Sequence, residues 1–130
     1  GAVIVQEGRI VSSAHNRVVE SHDPTAHAEI LAIREAGRVL GRFDLSDCRL
    51  YTTCEPCPMC RSAVHWARIT EVIYGCGRED AAEIGFDDAL LYDILAGKLD
   101  PPAYHERAEG REACLALFRE FERRDDRVMY

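Results

Sequence analysis

The chain has 130 residues, 47% of them apolar, which is the length and composition of one globular domain able to bury a core. Its formal charge of -7 and pI near 5.2 argue against a polyanionic partner, because nucleic-acid affinity rests on neutralising phosphates. No apolar run approaches the length of a membrane span and no secretory signal precedes the first strand, so the chain is read as soluble and cytoplasmic, acting on a small molecule.

Gly1-Ala2-Val3 already has strand character and carries no initiator methionine, so a first element is expected to lie before it. Residues 2–7 and 10–14 are apolar, β-branched-rich runs around Glu7-Gly8-Arg9, the signal of an antiparallel hairpin. After a polar loop, Asp23-Pro24-Thr25 announces a helix, since aspartate or threonine caps free N–H groups and proline is tolerated in a first turn. That helix is expected to run to about Leu40. Ala28, Leu31, Ala32, Ala36, Val39 and Leu40 keep helical spacing, Ile30 and Ile33 broaden the stripe, and Gly41 stops it. Residues 49–53 form a short strand that feeds Pro56-Cys57, where a second helix starts and runs through Ala63, Val64 and Ala67; residues 71–75 form the next strand. Strand, helix and strand of this length make a βαβ crossover, hence a parallel pair within a mixed sheet. Residues 87–96 and 108–124 are further helices, parted by Pro101-Pro102, the second gathering Leu117, Phe118 and Phe121 near one face. Trp66 is assigned to the core, and residues 1–130 are read as a single domain.

The chemistry lies in two short motifs. His27-Ala28-Glu29 and Pro56-Cys57-Pro58-Met59-Cys60 supply three zinc-type ligands and one uncommitted carboxylate. Zinc favours tetrahedral thiolate and imidazole ligands, and a catalytic site leaves its fourth position for water. His27, Cys57 and Cys60 fill three positions. Glu29, two residues past the histidine, points away from the ligating ring on a helix and is available as general acid and base. Cys57 and Cys60 stand one turn apart at a helix start, where free N–H groups and the positive dipole end favour thiolate.

Other uses of these cysteines compete with that reading. A thioredoxin-like redox site would use Cys57-Pro58-Met59-Cys60 but leaves His27 and Glu29 without a role. A structural zinc ribbon would begin with Cys57, Cys60 and Cys76, yet no second Cys-x-x-Cys follows. Cys54 in place of His27 would give a three-cysteine site; it precedes the proline, so with Cys48, Cys76 and Cys114 it is read as ordinary buried cysteine. Three of the six cysteines in one tight run suit metal ligation in a reducing compartment better than a disulfide scaffold. His15, His22, His65 and His105 are assigned to surface or structural positions.

His-x-Glu followed by Pro-Cys-x-x-Cys is the signature of zinc nucleobase deaminases, and the chain resembles the cytidine deaminase superfamily. Residues 23–29, 51–60 and 81–88 look similar to the bacterial guanine deaminases within it, most specifically at Gly85-Phe86-Asp87-Asp88. The resemblance implies a three-layer α/β/α sandwich with a mixed central sheet, one catalytic Zn2+, and hydrolysis of guanine to xanthine and ammonia. It also implies that Asn16 binds the base, its amide offering a purine edge both donor and acceptor. The backbone around Ala28 and Glu55 would touch substrate or leaving group. Asp88 would contact the guanine edge or relay a second proton. Tyr130 would close the pocket from a tail that family dimers exchange, making the protein a homodimer, domain-swapped in that case, with a nucleobase as its small-molecule partner. An N-terminal helix and an aromatic base contact would precede Gly1. On the residues alone, Asn16 also reads as a turn residue, Asp87 or Asp88 reads first as a helix start, and Tyr130 also reads as a free terminus. The enzymatic alternatives are a tRNA adenosine deaminase, a cytosine deaminase or a deaminase of guanine-like triazines such as ammeline. Outside enzymes, the alternative is a zinc-binding interaction module, against which an intact Glu29 argues.

Overall fold

Apolar, β-branched-rich runs build the expected hairpin from β1 (Ala2–Gln6) and β2 (Arg9–Ala14). Glu7 and Gly8 join them, both in the left-handed region at φ 48° and 76°, which gives a two-residue turn whose twist matches that of the strands. A bulge between Ile4 and Val5 leaves Val11 without a partner on β1. β1 also pairs antiparallel with β3 (Cys48–Cys54), and β3 pairs parallel with β4 (Glu71–Cys76), giving the order β2-β1-β3-β4. This is the mixed sheet predicted from the βαβ spacing. The computed structural model describes residues 1–86, 88–100 and 104–129. It divides into two compact units, Gly1–Leu99 and Asp100–Tyr130, which are described separately.

In the first unit the helices are α1 (Val18–Ser21), α2 (Ala28–Leu40), α3 (Pro58–Trp66), α4 (Arg78–Glu83) and α5 (Asp88–Leu95). Strand period two sends Cys48, Leu50 and Thr52 of β3 to one buried face while Arg49, Tyr51 and Thr53 stay exposed. On the buried face Ile4 and Leu50 are fully enclosed, each worth roughly 1.5–3 kcal/mol of transfer free energy. α2 covers this face with Ala28, Ala32 and Ala36, which recur every four residues and let the helix approach closely. Val64, Ala67 and Ile69, from α3 and the turn after it, complete the core, and the buried Ser12 hydroxyl donates to the Ala32 carbonyl at 2.7 Å.

Several expectations are corrected. α2 starts at Ala28 and not in the preceding aspartate turn, because the Asp23 carboxylate accepts from the Thr25 N–H and hydroxyl, closing a local turn over 23–25. α1 and α4 are too short to show periodicity in sequence. Trp66 is 56% exposed and not in the core: it lies two residues, about 200° of helix rotation, beyond the inward-facing Val64. Cys48 is buried, but Cys54 is only half-buried and Cys76, at the end of edge strand β4, is exposed.

The described part of the second unit holds α6 (Arg111–Glu122), shorter than the expected 108–124 because Gly110, at φ 71°, caps its start in the left-handed conformation. Leu117, Phe118 and Phe121 are exposed, and so is Cys114, contrary to the buried reading. Asp87, Pro101, Pro102 and Tyr130 lie outside the described residues. No helix among the described residues is long and apolar enough to cross a membrane.

Candidate metal centre

Two helix N-termini build the site. His27 is the N-cap of α2 and Cys57 the N-cap of α3; both have extended backbones, and Pro58 takes the first helical position, where a missing N–H costs nothing. Cys60 follows one turn into α3, its N–H directed to Cys57 Sγ at 3.5 Å. His27 Nδ1 stands 3.6 Å from Cys57 Sγ and 3.6 Å from Cys60 Sγ. Zn–S bonds of about 2.3 Å and a Zn–N bond of about 2.0–2.1 Å at the tetrahedral angle require N···S edges of about 3.6 Å. The three side chains therefore fit zinc on their own geometry. Among the described residues they form the one His, Cys, Asp or Glu group placed to hold a metal ion.

The two thiols are shifted in opposite directions. The Cys57 thiol is held below its ordinary value, first by the hydrogen bond from Cys60, with the Cys60 N–H and His27 adding to it. Cys60 is pushed up, first by giving that bond, then by burial and by Glu29. The helix-start argument, which favoured thiolate at both, enters at Cys57 only through the Cys60 N–H, behind the thiol bond, and fails at Cys60; a divalent cation deprotonates coordinating thiols outright.

Glu29, one residue into α2 past Ala28, is 7% exposed and lies beside the triad without belonging to it. Its Oε1 accepts from the Thr52 hydroxyl at 3.1 Å, and its Oε2 accepts from the Cys60 thiol at 3.5 Å. A pocket of about 490 Å³ opens over this group. Asn16, Ala28, Glu55 and Asp88 all line it, so the structure gathers every described residue expected from sequence, with Cys60 buried just behind the wall. A shallower cleft beside it, about 540 Å³, brings in His15 but no ligand of the triad.

The structure adds detail to three of these residues. Asn16 is both turn and pocket residue: its Oδ1 accepts from the Val18 N–H at 3.0 Å, which starts α1 and fixes the amide so that Nδ2 keeps its two donors. Asp88 opens α5 near enough to the thiols to raise those of Cys54 and Cys57, although burial leads at Cys54 and the Cys60 bond decides the net direction at Cys57. The Glu55 side chain, 7% exposed, is fully engaged: it accepts from Arg61 Nη2 at 2.9 Å, Arg78 Nη2 at 3.0 Å, Arg78 Nε at 3.3 Å and the Arg78 N–H at 3.2 Å. Tyr92 of α5 locks that cluster, donating to the Pro56 carbonyl at 2.7 Å and accepting from Arg61 Nε at 2.8 Å, with the Arg78 guanidinium over its ring. Thr52, Arg61, Arg78 and Tyr92 were not singled out by sequence; the inward alternation of β3 was the one available signal, and it pointed to Thr52.

Residues 1–76 match the model of the cytidine and deoxycytidylate deaminase zinc-binding region. The chain belongs to this deaminase family. Its zinc site is thus the family's as well as the geometry's, and the fold is cytidine deaminase-like. Guanine deaminase of Bacillus subtilis (strain 168) is 53% identical over 103 residues, spanning 79% of this chain and 64% of that protein. A tRNA-specific adenosine deaminase of Aquifex aeolicus is 57% identical over 74 residues, 57% of this chain and 49% of that one. The chain thus spans less than two thirds of either relative's length. The X-ray structure of guanine deaminase from Bacillus subtilis superposes with a TM-score of 0.86 at 42% identity, covering 99% of this chain and 82% of that one.

Proposed function

We propose that this chain catalyses the hydrolytic deamination of guanine to xanthine and ammonia. The observation that carries the reading is Glu29, a buried carboxylate outside the ligand triad yet in contact with ligand Cys60. A closed structural zinc site has no use for such a group, which counts against an interaction module. Zinc, when bound, supplies the Lewis-acid charge that makes water a nucleophile near neutral pH. Glu29 takes a proton from that water, passes it to a ring nitrogen, and then serves the departing amino group. Water oxygen is added at the amino-bearing carbon, the C–N bond breaks, and nitrogen leaves as ammonia; one water is consumed and no redox partner is needed. The free donors of Asn16 bind the base edge, and the Ala28 and Glu55 backbones line the wall at the leaving group. Asp88 contacts the guanine edge or relays a second proton.

Substrate choice rests on less than the chemistry does. All three ligands and Glu29 fall within the family region at 1–76, whereas Asp88 lies beyond it. The similarity to a guanine deaminase over 103 residues and the charge of -7 support a free base over tRNA. The six free thiols support a reducing cytoplasm, and guanine hydrolysis would serve purine breakdown or salvage. Residues 1–130 would form one catalytic domain per subunit of a homodimer, with the tail bearing Tyr130 exchanged between copies.

The test is ammonia release by the purified zinc-loaded protein from guanine, guanosine, cytosine, adenine, ammeline and an adenosine-containing tRNA loop. Turnover of guanine well above the others is expected. No release from guanine, with turnover of another member, sinks the assignment; no release from any member, with zinc firmly bound, favours the interaction module.

A further inference from the structure

We infer that Thr52 is a positioning residue for the proton carrier: it fixes one oxygen of the Glu29 carboxylate and so reserves the other for the reaction. Thr52 stands on the inward face of β3, 8% exposed, where Cys48 and Leu50 before it belong to the core and Thr52 itself borders the pocket. Its hydroxyl has one proton to give, and that proton goes to Glu29 Oε1 at 3.1 Å. The branched Cβ leaves Thr little freedom at χ1, and strand pairing on both sides, with Ala2 on β1 and Tyr74 on β4, holds its backbone. The donor is therefore rigid in a way that a long side chain would not be.

The two carboxylate oxygens differ in what holds them. Oε2 lies 3.5 Å from Cys60 Sγ, a long contact with a ligand of the metal site, whereas Oε1 accepts a shorter bond, 3.1 Å, from a hydroxyl on a strand paired on both sides. Without the hydroxyl, the terminal torsion of Glu29, which is broad and two-fold, would be left with the long sulfur contact alone. Thr52 thus keeps the carboxylate in one orientation, with Oε2 on the side of the metal ligands.

This inference rests on the reading of Glu29 as proton carrier, and the experiment separates the two. Thr52→Val keeps shape and β-branching and removes only the donor; Thr52→Ser restores the donor on a smaller side chain. In the zinc-loaded protein, Thr52→Val is expected to lower kcat for guanine about ten- to a hundredfold, the effect of losing one hydrogen bond to a charged group, with KM and zinc content at parental values. Thr52→Ser is expected to recover most of that loss. A Thr52→Val kcat within twofold of the parent, while Glu29→Gln is inactive, overturns the role of Thr52 and leaves that of Glu29 standing. Equal activity of Ser and Val variants, or zinc lost in step with kcat, also overturns it, since either result marks a purely structural contact. Parental turnover by Glu29→Gln instead removes Glu29 as the proton carrier.

Discussion

Removing both arginines around Glu55 should cost far more than removing each. Arg61 and Arg78 are 53% and 37% exposed at the side chain, whereas the carboxylate between them is 7% exposed. Arg61→Met keeps the apolar stem and loses the bond to Oε1 at 2.9 Å together with that to Tyr92 at 2.8 Å; Arg78→Met loses bonds at 3.0 and 3.3 Å but keeps its backbone N–H on the carboxylate. In each single variant one guanidinium still neutralises Glu55. The arginine end of each lost bond is solvated and the carboxylate keeps its other cation, so the cost is about 1 kcal/mol per single variant. The double variant leaves a buried carboxylate with no cation, a penalty of about 3–5 kcal/mol, so the coupling beyond the summed singles is about 1–3 kcal/mol. Urea unfolding at pH 7, followed by circular dichroism at fixed zinc with the slope m checked for constancy, measures it. Adding Glu55→Gln to the double variant should recover most of the loss. A double variant that costs no more than the sum of its singles refutes the argument that burial of Glu55, and not the count of hydrogen bonds, sets the energy.

Chelation of zinc should lower the unfolding free energy by about 4 kcal/mol when free zinc had been a thousandfold above its Kd, moving the urea midpoint down, and re-addition should restore it; an unchanged midpoint in the chelated protein would remove the metal from the fold's stability. Asp88→Asn should lower kcat/KM for guanine about a hundredfold, the low end of the range for proton-transfer groups, with zinc content intact, and unchanged kinetics would place Asp88 outside the reaction. Asp47 is pulled down to about 2, first by the Gln6 amide and then by Arg42. Its native value lies below its unfolded one, so its contribution is complete above about pH 4 and disappears as pH falls towards 2. Urea midpoints between pH 6 and pH 2 should therefore fall less steeply in Asp47→Asn than in the parent.

The parts of this protein that were legible in sequence are those that depend on near neighbours. His27, Cys57 and Cys60 sit in two short motifs, and each motif opens a helix, so ligand identity and placement followed from local rules. The strands announced themselves as short apolar, β-branched-rich runs, and the βαβ spacing gave their parallel pair. What was hidden depends on residues distant along the chain. The Glu55 carboxylate is claimed by Arg78, 23 residues away, and the Pro56 carbonyl by Tyr92, 36 residues away; no spacing rule predicts either. Thr52 and Glu29 are likewise 23 apart. The start of α2 was misplaced because an aspartate that can cap a helix can also close a turn, and the sequence signal is the same for both. Trp66 and Cys76 were assigned inward by residue type alone, while a helix rotation and an edge position put them outside.

β3 has a further consequence, for how this architecture tolerates changes of length. Its inward positions run Cys48, Leu50, Thr52, Cys54, the first two in the core and the last two at the pocket. Packing and reaction chemistry are measured along one ruler with a two-residue step. A single inserted or deleted residue within this strand would turn the positions beyond it to the opposite face and unseat Thr52 and Cys54 together. Edge strand β2, by contrast, already accommodates an extra residue at its bulge and remains paired. Insertions are thus compatible with the rim of the sheet, while the strand beside the metal has a fixed length.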